Sequence, residues 1–227
     1  RAYFVARPKE GEELRAILPE ATIYVLDGLF AGQAEFYAKL NLCPALISIE
    51  EAREWASFGR AYGRKLPCAL HVDTGINRLG FSKPEFDALL DDAFTMEGLN
   101  VSLLMSHLAC ADDPPHPLNE KQAEMFAALR GRLPGVKASL ANSSGIFLGK
   151  SFTHDLVRPG IALYGGNPTP GSPNPMRAVA HLEGAVMQVR NVKPGETVGY
   201  GATWEAQRPS RIAVLGAGYK DGVPRAL

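Results

Sequence analysis

Short runs of apolar or β-branched residues recur through the first three quarters of the chain, and each is only a few residues long. Runs of this length and composition are typical of buried β-strands. The predicted strands lie at 3–6, 22–26, 45–49, 68–72, 101–106, 137–141 and 161–164.

Stretches with amphipathic spacing, or rich in Ala, Glu and Leu, separate most of these runs and predict helices. The alternation of strand and helix indicates a parallel sheet with helices covering it. A closed (β/α)8 barrel needs eight strand units, whereas an open doubly wound sheet needs about five or six. The seven predicted strand units fit a barrel that lacks one unit better than a complete open sheet. We therefore expect an α/β fold over residues 1–165, a TIM-type barrel that lacks its first strand unit. The predicted helices lie at 8–18, 32–40, 50–63, 83–92 and 118–133.

The amino-acid composition changes after residue 165, and residues 166–177 are rich in Gly and Pro. Such a segment suits neither a helix nor a central strand, so we interpret it as a linker. Three further β-type runs follow at 178–192, 197–204 and 211–217, with a tight turn predicted at 193–196. Residues 178–227 are thus expected to form the beginning of a mainly antiparallel β domain.

Charge and cysteine content narrow the classes of function. The 24 basic residues balance the 24 acidic residues, so no basic field is present to hold nucleic acid or an anionic membrane. The three cysteines show neither the paired spacing of a zinc site nor the density of a disulfide scaffold. The chain also begins without a signal-peptide pattern or an apolar run of membrane-spanning length. We expect a cytoplasmic protein.

Polar residues cluster where the predicted strands end, the position at which barrels build their sites. This set is cationic and rich in hydroxyls, which favours an anionic ligand. The segment around Ser143 fits a phosphate cradle, although a simple helix N-cap is an alternative interpretation. The set comprises Arg78, His107, Asn142, Ser143, Ser144 and Arg158.

Six blocks of sequence, taken in order, resemble the alanine racemase family of fold-type III enzymes, which bind pyridoxal 5'-phosphate. The blocks lie at 71–81, 106–109 with 111–112, 141–143, 157–165, 198–203 (V-G-Y-G-A-T) and 218–222 (G-Y-K-D-G). The resemblance implies a racemase that interconverts L-alanine and D-alanine and supplies D-alanine for peptidoglycan.

The resemblance also implies roles for individual residues at the cofactor. Ser143, Gly160 and Ile161 would hold its phosphate. Arg158 would face the pyridine nitrogen, and because Arg stays protonated it cannot accept a proton from the ring. His107 would pack near the ring and bond to Arg158.

Further residues are implied at the substrate. Arg78 would lie near the cofactor phenolate and the substrate carboxylate, and Tyr219 would line the entrance. Tyr200 would be the catalytic acid–base on one face of the substrate, acting in the active site of the opposite subunit of a head-to-tail homodimer. A tyrosine with its ordinary pKa of about 10 is a poor base, so its surroundings must assist it.

Two departures from the family pattern stand out. The resemblance implies a cofactor-bearing Lys on the second face, in a K-x-x-A-Y-G-type block, and no Lys of this chain lies in such a setting. We expect that block upstream of Arg1, and we expect the chain as printed to be inactive without it. In addition, His71 stands where several family members carry a Lys, which leaves the counter-charge for Arg78 open, with Asp73 a nearby candidate.

Three alternatives remain at this point. A divalent metal could bind among His71, Asp73, His107, Asp112, Asp113 and His116, but their spacing is loose and we predict no metal. The chain could be a non-catalytic barrel that only binds pyridoxal phosphate, although the β runs after residue 178 count against this. It could also racemise another amino acid, such as serine or lysine, or several.

Overall fold

The structure, a computed structural model, describes residues 1–224 and divides them into two compact units, one from Arg1 to Val179 and the other from Ala180 onward. The last three residues of the predicted β domain, 225–227, lie outside the described part. No helix within residues 1–224 combines the length and the apolar character needed to cross a membrane.

The first unit is built on a parallel sheet in which each strand pairs with the next one along the chain. This order, with helices between the strands, is that of a (β/α) barrel, and the six strands curl into a half-barrel. The predicted fold class is confirmed. The strands are β1 (Ala2–Val5), β2 (Thr22–Val25), β3 (Leu42–Leu46), β4 (Pro67–His71), β5 (Asn100–Met105) and β6 (Lys137–Ser139).

Side chains alternate between the two faces of this sheet, as the two-residue period of a strand requires. One face packs with helical residues such as Trp55, Phe86 and Phe126 into the main core. The opposite face forms a smaller cluster that includes Tyr24, Leu103 and Met105. The helices are α1 (Pro8–Ile17), α2 (Ala34–Lys39), α3 (Ile49–Ala61), α4 (Lys83–Asp91), α5 (Ala93–Gly98), α6 (Leu118–Arg130) and α7 (Lys150–Thr153).

One predicted strand of the barrel is wrong, because Ile161–Tyr164 forms a 3-10 helix. The backbone N–H groups of Gly160 and Ala162 donate to the Ser143 hydroxyl, and those of Leu163 and Gly165 return to nearby carbonyls. These donors are therefore not available to a neighbouring strand. Two short helices, α5 and α7, were not predicted from the sequence.

Up to residue 224, the second unit contains two small antiparallel sheets. In the first, β7 (Val186–Val192) pairs with β10 (Ser210–Leu215). In the second, β8 (Thr197–Val198) pairs with β9 (Trp204–Glu205). The predicted strand over 197–204 is thus interrupted, because Tyr200–Ala202 forms a 3-10 turn in which Gly201 has a φ of +74°. The predicted tight turn is present, since the N–H of Glu196 donates to the Lys193 carbonyl at 3.1 Å.

Candidate active site

A cavity of about 550 Å³ opens within the first unit, where the loops that follow β5 and β6 meet β1. Its wall contains five of the residues that the family resemblance assigned to the cofactor, so the structure brings together residues that lie far apart along the chain. These are His107, Ser143, Arg158, Gly160 and Ile161. Asn142, Ser144 and the apolar side chains of Phe4 and Leu163 complete much of the lining.

Arg158 is the buried cation of this cavity. Its guanidinium donates to the hydroxyl of Ser139 on β6 and to the carbonyl of Ser106, which follows β5. Its own backbone N–H donates to the Ala141 carbonyl at 3.0 Å. Burial lowers the pKa of Arg158 to about 10. The side chain therefore remains protonated at neutral pH, fixed by the ends of two strands.

Two stacked aromatic rings lie beside this cation. The guanidinium carbon of Arg158 is 5.9 Å from the ring centroid of Phe4, and the Phe4 ring stacks on Tyr24 with their centroids 5.0 Å apart. Cations are attracted to the faces of aromatic rings at such distances. The sequence analysis did not single out Phe4 as a candidate site residue. Its position on β1 was the available signal, because a side chain on a strand faces one side of the sheet or the other.

The Ser143 hydroxyl is arranged as a donor toward the cavity. Its Oγ accepts from the N–H of Gly160 at 2.8 Å and from the N–H of Ala162 at 3.3 Å. A hydroxyl has two acceptor lone pairs and one donor, so these contacts leave its O–H free to donate elsewhere. The neighbouring Asn142 closes the turn before the following 3-10 helix, because its Oδ1 accepts from the Gly145 N–H at 2.9 Å. The residue before that helix, Ser144, makes no side-chain capping bond, so the alternative interpretation of this segment as a simple N-cap is not supported.

The imidazoles near the cavity are neutral at pH 7. Burial, with Arg158 as the next largest cause and Arg78 after it, lowers the pKa of His107 to about 4. Burial and Arg158 also lower the pKa of His71 to about 4. Both ring nitrogens of His71 are buried without a hydrogen-bond partner among the described residues. The expected bond between His107 and Arg158 is not formed, because the guanidinium donates to Ser139, Ser106 and Leu140.

Arg78 lies on an exposed turn after β4, outside the lining of the cavity. The turn is closed by reciprocal contacts: the Phe81 N–H donates to the His71 carbonyl, and the Asp73 N–H to the Phe81 carbonyl, both at 2.8 Å. Gly80 has a φ of +114°, and a Cβ there would lie 2.8 Å from the His71 carbonyl oxygen. The Asp73 carboxylate accepts N–H groups of residues 75–77. It forms no ion pair with Arg78 in the described structure, so that suggested counter-charge is not present.

Tyr200 and Tyr219 belong to the second unit and are both largely exposed, at 91% and 71%. Each begins a 3-10 turn. Across residues 1–224, no group of three or more His, Cys, Asp or Glu side chains is placed to hold a metal ion. Of the residues weighed for one, His116 accepts the Leu118 N–H on its Nδ1 at 3.1 Å.

Comparison with known proteins decides the family. The model described as the alanine racemase N-terminal domain matches residues 1–168, and the model of the C-terminal domain matches residues 179–227. The chain belongs to the alanine racemase family. The resemblance drawn from the six sequence blocks is confirmed.

Individual members of the family agree with this assignment. The alanine racemase of Methylobacterium sp. (strain 4-46) is 53% identical over 226 residues, which are 100% of this chain and 62% of that protein. A crystal structure of alanine racemase from Bartonella henselae with covalently bound pyridoxal phosphate has a TM-score of 0.88 at 38% identity, over 100% of this chain and 64% of that one. Biosynthetic alanine racemase from Pseudomonas aeruginosa has a TM-score of 0.86 at 34% identity, over 99% and 63%. The chain thus spans a little over three fifths of the relatives it matches.

Proposed function

We propose that the protein containing this chain is a pyridoxal 5'-phosphate-dependent alanine racemase that interconverts L-alanine and D-alanine and supplies D-alanine for peptidoglycan. The observation that carries the proposal is the convergence of Arg158, Ser143 and His107 on one cavity of a chain belonging to this family. The match of residues 179–227 to the C-terminal domain favours an enzyme over a barrel that only binds the cofactor.

The residues present fit pyridoxal phosphate. The cavity volume of about 550 Å³ lies in the usual range for small-molecule sites. A free O–H of Ser143 and a buried guanidinium on Arg158 are the donors that an anionic phosphate and an aromatic nitrogen heterocycle would require. When bound, pyridoxal phosphate acidifies the α-proton of an amino acid by withdrawing electrons from it.

The chain's own residues would hold this group at two ends. Ser143 would donate its hydroxyl to the phosphate, with the backbone at Gly160 and Ile161 forming the rest of the cradle. Arg158 would donate to the pyridine nitrogen. Because its pKa of about 10 keeps it protonated at neutral pH, it would not take up a proton from the ring. A ring that is not fully protonated withdraws electrons less strongly, which suits proton removal and return without loss of the carboxylate.

His107 would face the ring as a neutral imidazole, since burial and Arg158 lower its pKa to about 4. A neutral side chain there adds no second positive charge beside Arg158. Arg78 would donate to the phenolate of the cofactor and to the substrate carboxylate. Its guanidinium suits planar, bidentate contacts with a carboxylate.

Tyr200 would move the proton on one face of the substrate, at its phenol oxygen. We infer that it does so in the active site of the partner in a head-to-tail homodimer, and that Tyr219 lines the entrance. The 91% exposure of Tyr200 is consistent with a side chain that acts outside its own unit. Small-molecule amino acids, and neither nucleic acid nor membrane, are the proposed partners. The three free cysteines support a reducing, cytoplasmic setting.

The test is a racemisation assay of the natural protein with pyridoxal phosphate, run on alanine, serine and lysine in both directions. Conversion of alanine with kcat/KM at least tenfold above that of the other amino acids is expected. A preference for serine or lysine would replace the proposed substrate. Tight binding of pyridoxal phosphate without any racemisation would instead favour the non-catalytic barrel.

A further inference from the structure

Helix α6 carries a glutamine on its buried face, where an apolar residue would be expected. Gln122 is 0% exposed, and it shares its face of the helix with Phe126 and Leu129. Burying an amide is costly unless each of its polar atoms finds a partner. The partners of Gln122 therefore indicate why a polar side chain occupies this position.

The Gln122 amide spans the turn that follows β5. Its Oε1 accepts the backbone N–H of Ala109 at 2.9 Å, and its Nε2 donates to the backbone carbonyl of His107 at 2.9 Å. A third contact runs from Nε2 to Thr74 Oγ1 at 3.3 Å, on the turn after β4. One side chain thus binds both the carbonyl of His107 and the N–H two residues later.

These contacts continue into the candidate active site. Thr74 Oγ1 lies 2.7 Å from the hydroxyl of Ser106, and the carbonyl of Ser106 accepts from the guanidinium of Arg158. His107 itself lines the cavity, whereas Gln122 does not. The amide therefore lies behind the wall of the cavity and is bonded to the segment that presents His107 and holds Arg158.

We propose that Gln122 is a positioning residue of the racemase: its amide fixes the 106–109 segment, and through it the imidazole of His107 and the guanidinium of Arg158. This inference rests on the proposed function for its catalytic consequence. We call the hydrogen bonds of the Gln122 amide to Ala109, His107 and Thr74 the clamp, and it consists only of contacts between residues of this chain. Because Gln122 does not line the cavity, its loss is expected to act on geometry at the ring and to leave the phosphate contact of Ser143 intact.

Two variants of the natural holoenzyme separate this role from simple packing. Gln122→Met keeps the approximate volume and removes all three hydrogen bonds. Gln122→Glu keeps an acceptor for Ala109, and it regains a donor toward the His107 carbonyl only when its carboxyl is protonated. Because burial raises the pKa of a carboxyl, that donor is expected to return as the pH is lowered. Gln33→Glu is the matched control, the same change at an exposed position.

We expect Gln122→Met to lower kcat about tenfold, with the KM for alanine changed less than twofold. We expect the activity of Gln122→Glu, relative to that of the unsubstituted protein at the same pH, to rise as the pH falls from 9 to 6. Taking this ratio removes the titration of groups common to both proteins, including His107 and Arg158. Gln33→Glu should show a flat ratio near one. A flat ratio for Gln122→Glu, or an unchanged kcat in Gln122→Met, would overturn the assignment.

A readout without turnover keeps this inference separate from the proposed function. Amide hydrogen exchange of Ala109 should accelerate at least tenfold in Gln122→Met, while amides in β2 and β3 keep their protection. The absorbance of bound pyridoxal phosphate should also shift, while affinity for inorganic phosphate stays within twofold. If the unsubstituted protein does not racemise alanine but these changes occur, the proposed function fails and the clamp stands. Unchanged exchange at Ala109 would overturn the clamp, whatever the activity.

Discussion

The hydroxyl oxygen of Ser143 accepts the backbone N–H of Gly160 at 2.8 Å, although the two residues lie 17 positions apart in sequence. This contact ties the loop that follows β6 to the start of the 3-10 helix Ile161–Tyr164. Because the oxygen also accepts from Ala162, the direction of its O–H is set by the protein. The pair thereby defines one end of the candidate cofactor site.

Ser143→Ala should weaken the binding of pyridoxal phosphate by at least about tenfold, since one hydrogen bond to a charged group contributes about 1.5–3 kcal/mol. Fluorescence titration of the protein with pyridoxal phosphate measures this change. Pyridoxal, which lacks the phosphate, should bind with nearly unchanged affinity. Ser151→Ala, at an exposed position of α7, is the control. Equal losses for pyridoxal and pyridoxal phosphate would contradict the role of Ser143.

Arg158→Lys should lower racemisation by roughly a hundredfold, since Lys keeps the charge but loses the planar group that binds Ser139 and Ser106 together. The bound cofactor should also change its absorbance, because its ring nitrogen would face a different donor. Steady-state kinetics and spectra of the holoenzyme measure both effects. Arg53→Lys, in a surface ion pair with Asp92, should leave both unchanged. Full activity of Arg158→Lys would argue that any cation suffices.

The sequence predicted five of the six parallel strands closely, because each is a short apolar run between helical stretches. The strand predicted at 45–49 is displaced, since β3 spans Leu42–Leu46 and α3 already begins at Ile49. The prediction failed at Ile161–Tyr164, where an apolar run of four residues fits a strand and a short helix equally. Whether this segment forms a strand or a helix is decided by the hydroxyl of Ser143, which accepts the N–H groups of Gly160 and Ala162, 17 and 19 positions away. No local sequence pattern contains such a contact.

The candidate site also divides into features that the sequence predicted and features that it did not. The meeting of His107, Ser143 and Arg158 at one cavity could be predicted, because polar residues at strand ends carry the chemistry of barrels. Arg78, predicted by the same rule, lies outside the lining of that cavity. The groups that hold Arg158 were missed, because the Ser139 hydroxyl and the Ser106 carbonyl lie within or beside apolar strands. The buried position of Gln122 did leave a signal, since it precedes Phe126 and Leu129 at helical spacing on one face of α6.

Tyr200→Phe should impair proton transfer on one face only, by about a thousandfold, the scale expected for loss of a general acid–base group. Solvent-deuterium incorporation into the α-position, followed separately from L-alanine and from D-alanine, measures this asymmetry. Tyr62→Phe, on the surface of the first unit, should leave both exchanges unaltered. Equal loss from the two enantiomers would count against the assignment of Tyr200 to one face.

Arg78→Lys should raise the KM for alanine about tenfold with a smaller effect on kcat, because an ammonium group cannot make the bidentate contact of a guanidinium with a carboxylate. Steady-state kinetics with alanine in both directions provide the measurement. Arg132→Lys, which retains a positive charge beside Asp87 on the surface, is the control. Unchanged kinetics of Arg78→Lys would indicate that Arg78 serves only as a structural cation.

Acid should destabilise the protein through His71. Burial, with a contribution from Arg158, lowers its folded-state pKa to about 4 from an ordinary value of 6.5. The unfolded chain therefore binds the proton first, so the stabilisation is present above pH 6.5 and is lost as the pH falls toward 4. The loss is on the order of 3 kcal/mol. Denaturant unfolding at several pH values measures it.

His71→Leu should remove much of this acid sensitivity and change stability little at pH 7, since neither ring nitrogen of His71 has a hydrogen bond to lose within the described structure. His181→Leu, at an exposed position of the second unit, should keep the pH dependence of the unsubstituted protein. An identical slope in His71→Leu and in the unsubstituted protein would assign the acid sensitivity to other groups.

The hydrogen bonds of Arg158 to Ser139 and Ser106 have a consequence for how a ligand is received. A free arginine side chain samples many rotamers, and a binding partner must halt that motion at a cost of about 0.5–1.5 kcal/mol per side chain. Here the guanidinium is already anchored by the barrel, so its conformational entropy is lost when the chain folds. The cation is preorganised, and a ligand arriving in the cavity meets it without having to restrain it.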